Sequence, residues 1–212
     1  MRIVSLLFAC LLWNMTFGQK AVSKEISTLL TEGKPLQEVS LIHFVSNEVT
    51  NRSIPLEGLT KGTIVSIDEV AIEKLLNGNS DFIQLGLPLS ERQNLKLNLV
   101  RHEIFAEDFA LYTSSEPGIP FNYTPGVHYK GVVEGDPSSL VAVSVFNNEV
   151  MALISTGHGN MILGRIDNDR ESRHILYAEN DLDKTSGFDC STPDDGFGYT
   201  EEDLKPQAAG RD

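Results

Sequence analysis

The sequence predicts a mainly β, α+β fold: an antiparallel, hairpin-rich sheet or sandwich with one packed helix, followed by a disordered acidic strap. Three observations predict it. Residues 95–100 (LKLNLV) alternate apolar and polar side chains over three periods, the pattern of a strand with one buried face. Residues 127–134, 140–146 and 149–155 are β-type runs separated only by short turns, and strands joined this tightly pair antiparallel because parallel pairs need long crossovers. A single stretch after Ser66 switches to helical period.

Composition supports a folded body. The chain has 212 residues, 41% of them hydrophobic and 22% charged, enough for a core and best read as one domain. Its net charge of −13 argues against nucleic-acid binding and against adhesion to anionic lipid, both of which need a basic face. With two cysteines, a disulfide-stapled scaffold is excluded.

Taken in order, the first segment is an address. Met1-Arg2 is a short basic start, residues 3–13 (IVSLLFACLLW) are apolar but too short to span a bilayer comfortably, and Thr16-Phe17-Gly18 sets small residues at the usual cleavage positions. Residues 1–18 therefore read as a signal peptide, and the product as secreted or periplasmic. No later stretch is apolar enough to cross a membrane. Cleavage removes Cys10 and leaves Cys190 as the lone thiol in an oxidising compartment.

Residues 19–178 read as the β-rich body. Residues 19–36 are polar and partly helical in pattern, and residues 41–45 and 63–66 are β-type runs. Ser66 or Asp68 can cap a helix with Val70, Ile72, Leu75 and Leu76 largely on one face, stopped by Asn77-Gly78-Asn79. Residues 82–87, 95–100 and 109–112 are further strand candidates, and residues 116–126, rich in Pro, Gly and Asn, read as a loop. The three hairpin strands follow, and residues 161–166 and 174–177 add two more. Residues 179–212 read as an acidic flexible tail carrying Cys190. From Asp167 to the end there are 13 acidic and 5 basic residues, net −8.

No self-sufficient catalytic set emerges. His102-Glu103-Ile104-Phe105-Ala106 has Ala where the zinc-protease motif needs a second His, and reads as a surface His beside a Glu on a strand. His43, His128, His158 and His174 have no ligand spacing. Gly157-His158-Gly159 reads as a hairpin turn, and the acids at 167–169 and 181–183 as solvated loops without the calcium-loop spacing. Asn51-Arg52-Ser53 and Asn122-Tyr123-Thr124 match glycosylation sequons.

The cysteine supplies the chemistry instead. A thiolate is a strong soft ligand for zinc, and a catalytic zinc keeps one position open for the water that becomes its nucleophile. Cys190, borne on a strap, can fill that position and expel the water. Cys190-Ser191-Thr192-Pro193-Asp194 resembles the C-x-x-P-D part of the cysteine switch in matrix-type metalloprotease propeptides. It departs from that motif in having Phe188-Asp189 where the family has Pro-Arg, and Ser191 where it has Gly.

A second resemblance covers residues 63–164. Tyr129-Lys130-Gly131-Val132-Val133, Gly135, Ser138-Ser139, Val141-Ala142-Val143-Ser144 and the return strand to Ala152-Leu153-Ile154 resemble the propeptide domain of reprolysin-type (adamalysin, M12B) secreted zinc metallopeptidases. The resemblance implies a non-catalytic prodomain. It would assist folding of a zinc metalloprotease catalytic domain, in a longer precursor or in trans, and hold it latent through a contact between Cys190 and the partner's zinc. The alternative is a stand-alone secreted β-rich binding or adhesion module.

Overall fold

The computed structural model of the chain describes residues 17–47 and 58–182. Most of the leader, Cys10, the sequon at Asn51, and the strap from residue 183 with Cys190 lie outside the described residues.

The chain is mainly β. Its strands are β1 (Gln37–Val39), β2 (Ile42–Ser46), β3 (Thr63–Ile67), β4 (Phe82–Pro88), β5 (Asn94–Arg101), β6 (Tyr112–Thr113), β7 (Glu116–Pro120), β8 (Val127–Val133), β9 (Asp136–Phe146), β10 (Glu149–Thr156), β11 (Gly159–Arg165) and β12 (His174–Ala178). Ten of them form one sheet in the order β1-β4-β5-β8-β9-β10-β11-β12-β3-β2, and β6 and β7 pair separately. Every pairing in the large sheet is antiparallel except β1 on β4. The two edge strands are neighbours in sequence, separated by Ser40 and Leu41 alone. One stretch of chain thus pairs with β4 through its first half and with β3 through its second, so the sheet curls round on itself into a barrel-like body. Closure of this kind removes the open edges that invite aggregation.

The strand period builds the interior. Leu85 and Leu87 on β4, Leu97 and Leu99 on β5, Tyr129 on β8, Val141, Val143 and Val145 on β9, and Val150, Ala152 and Ile154 on β10 alternate inward into one core. Two-residue turns at Glu134-Gly135, Asn147-Asn148 and Gly157-His158 connect β8 to β11. The β8–β9 pair carries a bulge between Gly131 and Val133. There the Ser139 hydroxyl accepts from the Val133 amide at 2.8 Å and donates to the Asp136 carbonyl at 2.6 Å, satisfying backbone groups that the bulge takes out of the ladder.

Among the described residues two helices complete the body, one more than the single packed helix expected. The first, α1 (Phe17–Thr31), realises the helical pattern of residues 19–36 and packs on the outside of the sheet. Ile26, with Val22 and Leu29 on the same face, meets Phe82, Val100 and Val132. The helix ends in a Schellman motif, with Gly33 at φ 69°, the Gly33 amide bonded to the Leu30 carbonyl and the Lys34 amide to that of Leu29. The second, α2 (Glu69–Asn77), has Asp68 as its N-cap, whose carboxylate accepts from the Ala71 amide at 2.9 Å. Ile72 and Leu75 bury in the main core from inside the curl.

Three elements depart from expectation. β1 was not foreseen. Residues 109–112 contribute only Tyr112 to a strand, and residues 116–120, expected to be loop, form β7. The body also extends past residue 178. Glu179–Asp181 is a turn of 3-10 helix, Thr60 donates from its amide and hydroxyl to the Asp181 carbonyl, and Leu182 bridges to Leu59. The expected acidic tail is therefore pinned to the barrel through its first four residues.

Candidate functional site

A cleft opens where the chain leaves the barrel wall between β5 and β8. Residues 102–126 make this excursion, with β6 and β7 as a small ribbon at its far side. The excursion and the ends of β5 and β8 enclose a cleft of about 680 Å3. Its aromatic lining begins with Phe105, whose ring lies 4.4 Å (centroid to centroid) from Phe109 and edge-on at 6.1 Å from Tyr123. His128 belongs to the same wall, edge-on to Phe105 at 6.0 Å and to Phe146 at 5.9 Å. Gly126 lets the chain re-enter the sheet, because a Cβ there would stand 2.6 Å from the Val145 carbonyl oxygen and from the Phe146 ring.

The polar groups of the cleft are few. Arg101, the last residue of β5, pairs with Glu103 at 3.1 Å, and Glu107 adds a carboxylate to the lining. His128 shares a hydrogen bond between Nδ1 and the Ser144 hydroxyl at 2.9 Å, while its Nε2 is buried with no partner among the described residues. Burial pulls the His128 pKa below its ordinary value, against the opposing pull of Glu103, so the ring is neutral at pH 7. The geometry suits apolar and aromatic contact in an acidic setting. It offers no activated nucleophile.

The structure separates the other residues singled out from the sequence. His102 and Glu103 stand just past the end of β5, exposed, rather than on a strand. Among the described residues no group of three or more His, Cys, Asp and Glu side chains is placed to hold a metal ion. His174 is a core residue. It is fully buried, with Nδ1 on the Ser172 carbonyl at 3.0 Å and Nε2 accepting from the Val150 amide at 3.1 Å. Gly157-His158 is the expected hairpin turn. The acids at 167–169 are not all solvated. The Asp169 carboxylate is gripped by the Arg173 guanidinium at 2.6 and 3.0 Å, which pulls its pKa down to about 2. Cys190, the expected metal ligand, lies outside the described residues.

The cleft itself was missed in the sequence. Its signal was present: five aromatic residues, four acids and no Lys or Arg within residues 102–126.

No protein-family model matches the chain, and a search against curated proteins returns no match.

Proposed function

We propose that the chain is the prodomain of a secreted zinc metalloprotease, exported on its leader, non-catalytic, and serving to fold the protease and hold it latent. Cys190 is its inhibitory group. Its thiolate displaces the water at the open position of the partner's zinc, so the nucleophile of hydrolysis is lost. The zinc belongs to the partner's site, and this chain adds one sulfur ligand to it.

One observation carries the reading. The run resembling reprolysin-type propeptides, residues 129–154, is followed by Cys190 a short way along the sequence from Leu182, which bridges to Leu59. Cys190 is eight positions past Leu182, and eight steps of chain span at most about 29 Å when extended. The thiol therefore lies within that distance of Leu182, as a contact with a protein docked beside the barrel requires.

The test mixes the full chain with a reprolysin-type zinc protease and follows cleavage of a quenched fluorogenic peptide. Inhibition that falls about tenfold or more in Cys190→Ala supports the proposal, since one zinc–thiolate bond outweighs an ordinary contact. Equal inhibition by Cys190→Ala, or none by the unaltered chain, overturns it. The aromatic cleft favours the second reading, a secreted binding module, which predicts partner binding without loss of protease activity.

A further inference from the structure

The excursion of residues 102–126 is unusual for what it exposes. Phe109, Tyr112, Ile119 and Phe121 are each about half or more accessible, Ile119 at 63%, and Ile104 joins them, whereas the other exposed large apolar side chains among the described residues, such as Leu30, Val70 and Leu153, are spread over separate elements. Scattered exposed apolar residues are ordinary, but a contiguous set around a concavity marks a contact surface. The surface also runs past the mouth of the cleft onto β6 and β7, farther than a small molecule needs. A two-stranded ribbon is barely stable alone in water and gains from an apolar partner laid against it.

Charge says what that partner carries. Glu103, Glu107, Asp108 and Glu116 lie on the excursion, with no Lys or Arg among its 25 residues. Arg101 at its root is already paired with Glu103, and the neutral His128 adds no positive charge to the wall. Ring faces next to carboxylates attract cations, by the ring quadrupole and by simple Coulomb pairing. An acidic group would be repelled here.

We propose that the cleft between the 102–126 excursion and the barrel wall is a docking site for a basic side chain, arginine or lysine, carried on an extended apolar segment of a partner protein. The side chain lies against the outer surface of the Phe105, Phe109 and Tyr123 ring cluster and pairs with Glu107. The flanking apolar residues of the segment lie on Phe121 and Ile119. The site needs no zinc and no Cys190, so it stands apart from the latency mechanism.

The experiment uses the full chain and a fluorescein-labelled hexapeptide of alternating leucine and arginine, read by fluorescence anisotropy. A second peptide has each arginine replaced by citrulline, which keeps the shape and removes the charge. Binding that weakens about tenfold with citrulline, and about threefold or more in Glu107→Gln and in Phe121→Ala, supports the site. Both substitutions fall on the excursion rather than in the core, and unchanged thermal melting confirms that each variant is folded. Equal affinity for the two peptides, indifference to both substitutions, or no binding at 1 mM overturns it. Sedimentation showing a dimer that Phe121→Ala dissolves also overturns it, because the patch then belongs to a second copy. Binding retained in Cys190→Ala keeps this outcome separate from the protease test.

Discussion

At the scale of single residues, the Y-x-G and paired-serine features of residues 129–144 have structural explanations. Tyr129 points into the core and donates its hydroxyl to the Ser80 carbonyl at 2.9 Å, and burial pushes its pKa up to about 12. Gly131, on the same face, lies so close to β5 that a Cβ would overlap the Asn98 carbonyl. Ser139 satisfies the bulge beside it. These positions are dictated by how β8 packs against β5 and β9, so the motif speaks first of the fold and only through resemblance of a role. The expected consequence is that Gly131→Ala destabilises the chain by about 2–3 kcal/mol, because backbone rather than a flexible side chain must yield. Gly164→Ala is the control. It too sits in a strand, but a Cβ there meets nothing within 4 Å and its φ is not positive. Urea midpoints should drop for the first variant and stay near that of the parent for the second. Similar midpoints for both would show that β5 and β8 can move apart at little cost.

At the scale of elements, what was legible in the sequence follows how local each signal is. The strands β8 to β11 announce themselves by alternation and two-residue turns, and α2 by its cap, its apolar face and Gly78. β1 left no trace because Gln37-Glu38-Val39 is three residues long with no alternation, and only the exposed edge of β4 makes it a strand. Pro117 and Pro120 disguised β7, since proline reads as loop and is tolerated in a sheet only at an edge. The aromatic cleft was hidden for a different reason: its rings come together through the tertiary path of the excursion. The β11–β12 connection is another case, where the acids look solvated in sequence yet one is clamped. Asn168 and Ser172 both hold positive φ, at 57° and 53°, and the Asp169–Arg173 pair closes the turn between them. Arg173→Ala should cost about 1–3 kcal/mol, the usual loss when a mostly buried charged hydrogen bond is broken from one side. It should also return the Asp169 titration from about 2 to the ordinary carboxylate range, read from its carboxyl carbon by NMR. An unmoved titration would mean that the turn backbone alone holds the carboxylate low.

At the scale of the whole molecule, the barrel is closed by contacts between parts of the chain far apart in sequence, and one of them titrates. Pairing of β10 with β11 stops at Ala152, so the Val150 amide has no strand partner on that side. His174 from β12 reaches across to accept it, while its own Nδ1–H goes to the Ser172 carbonyl. Both nitrogens are thus used by the neutral ring. Protonation of Nε2 would set two donors against each other, and burial lowers the His174 pKa as the structure requires. The sign follows. Above about pH 6.5 the ring is neutral folded and unfolded, and the histidine adds no pH dependence. Below it the unfolded chain takes up a proton that the folded chain refuses, so stability falls as pH drops toward the folded-state pKa, by up to about 1.4 kcal/mol per pH unit for this residue. His128, lowered by burial as well, acts in the same direction. The Asp169 contribution is lost only below about pH 4, in a separate window. Thermal unfolding from pH 8 to pH 4.5 should therefore show a midpoint that is flat at first and then declines below about 6.5. His174→Gln, whose amide oxygen can still accept from Val150 but does not titrate, should start lower at pH 8 and decline less. A full decline retained in that variant would place the acid sensitivity elsewhere and leave His174 as packing alone.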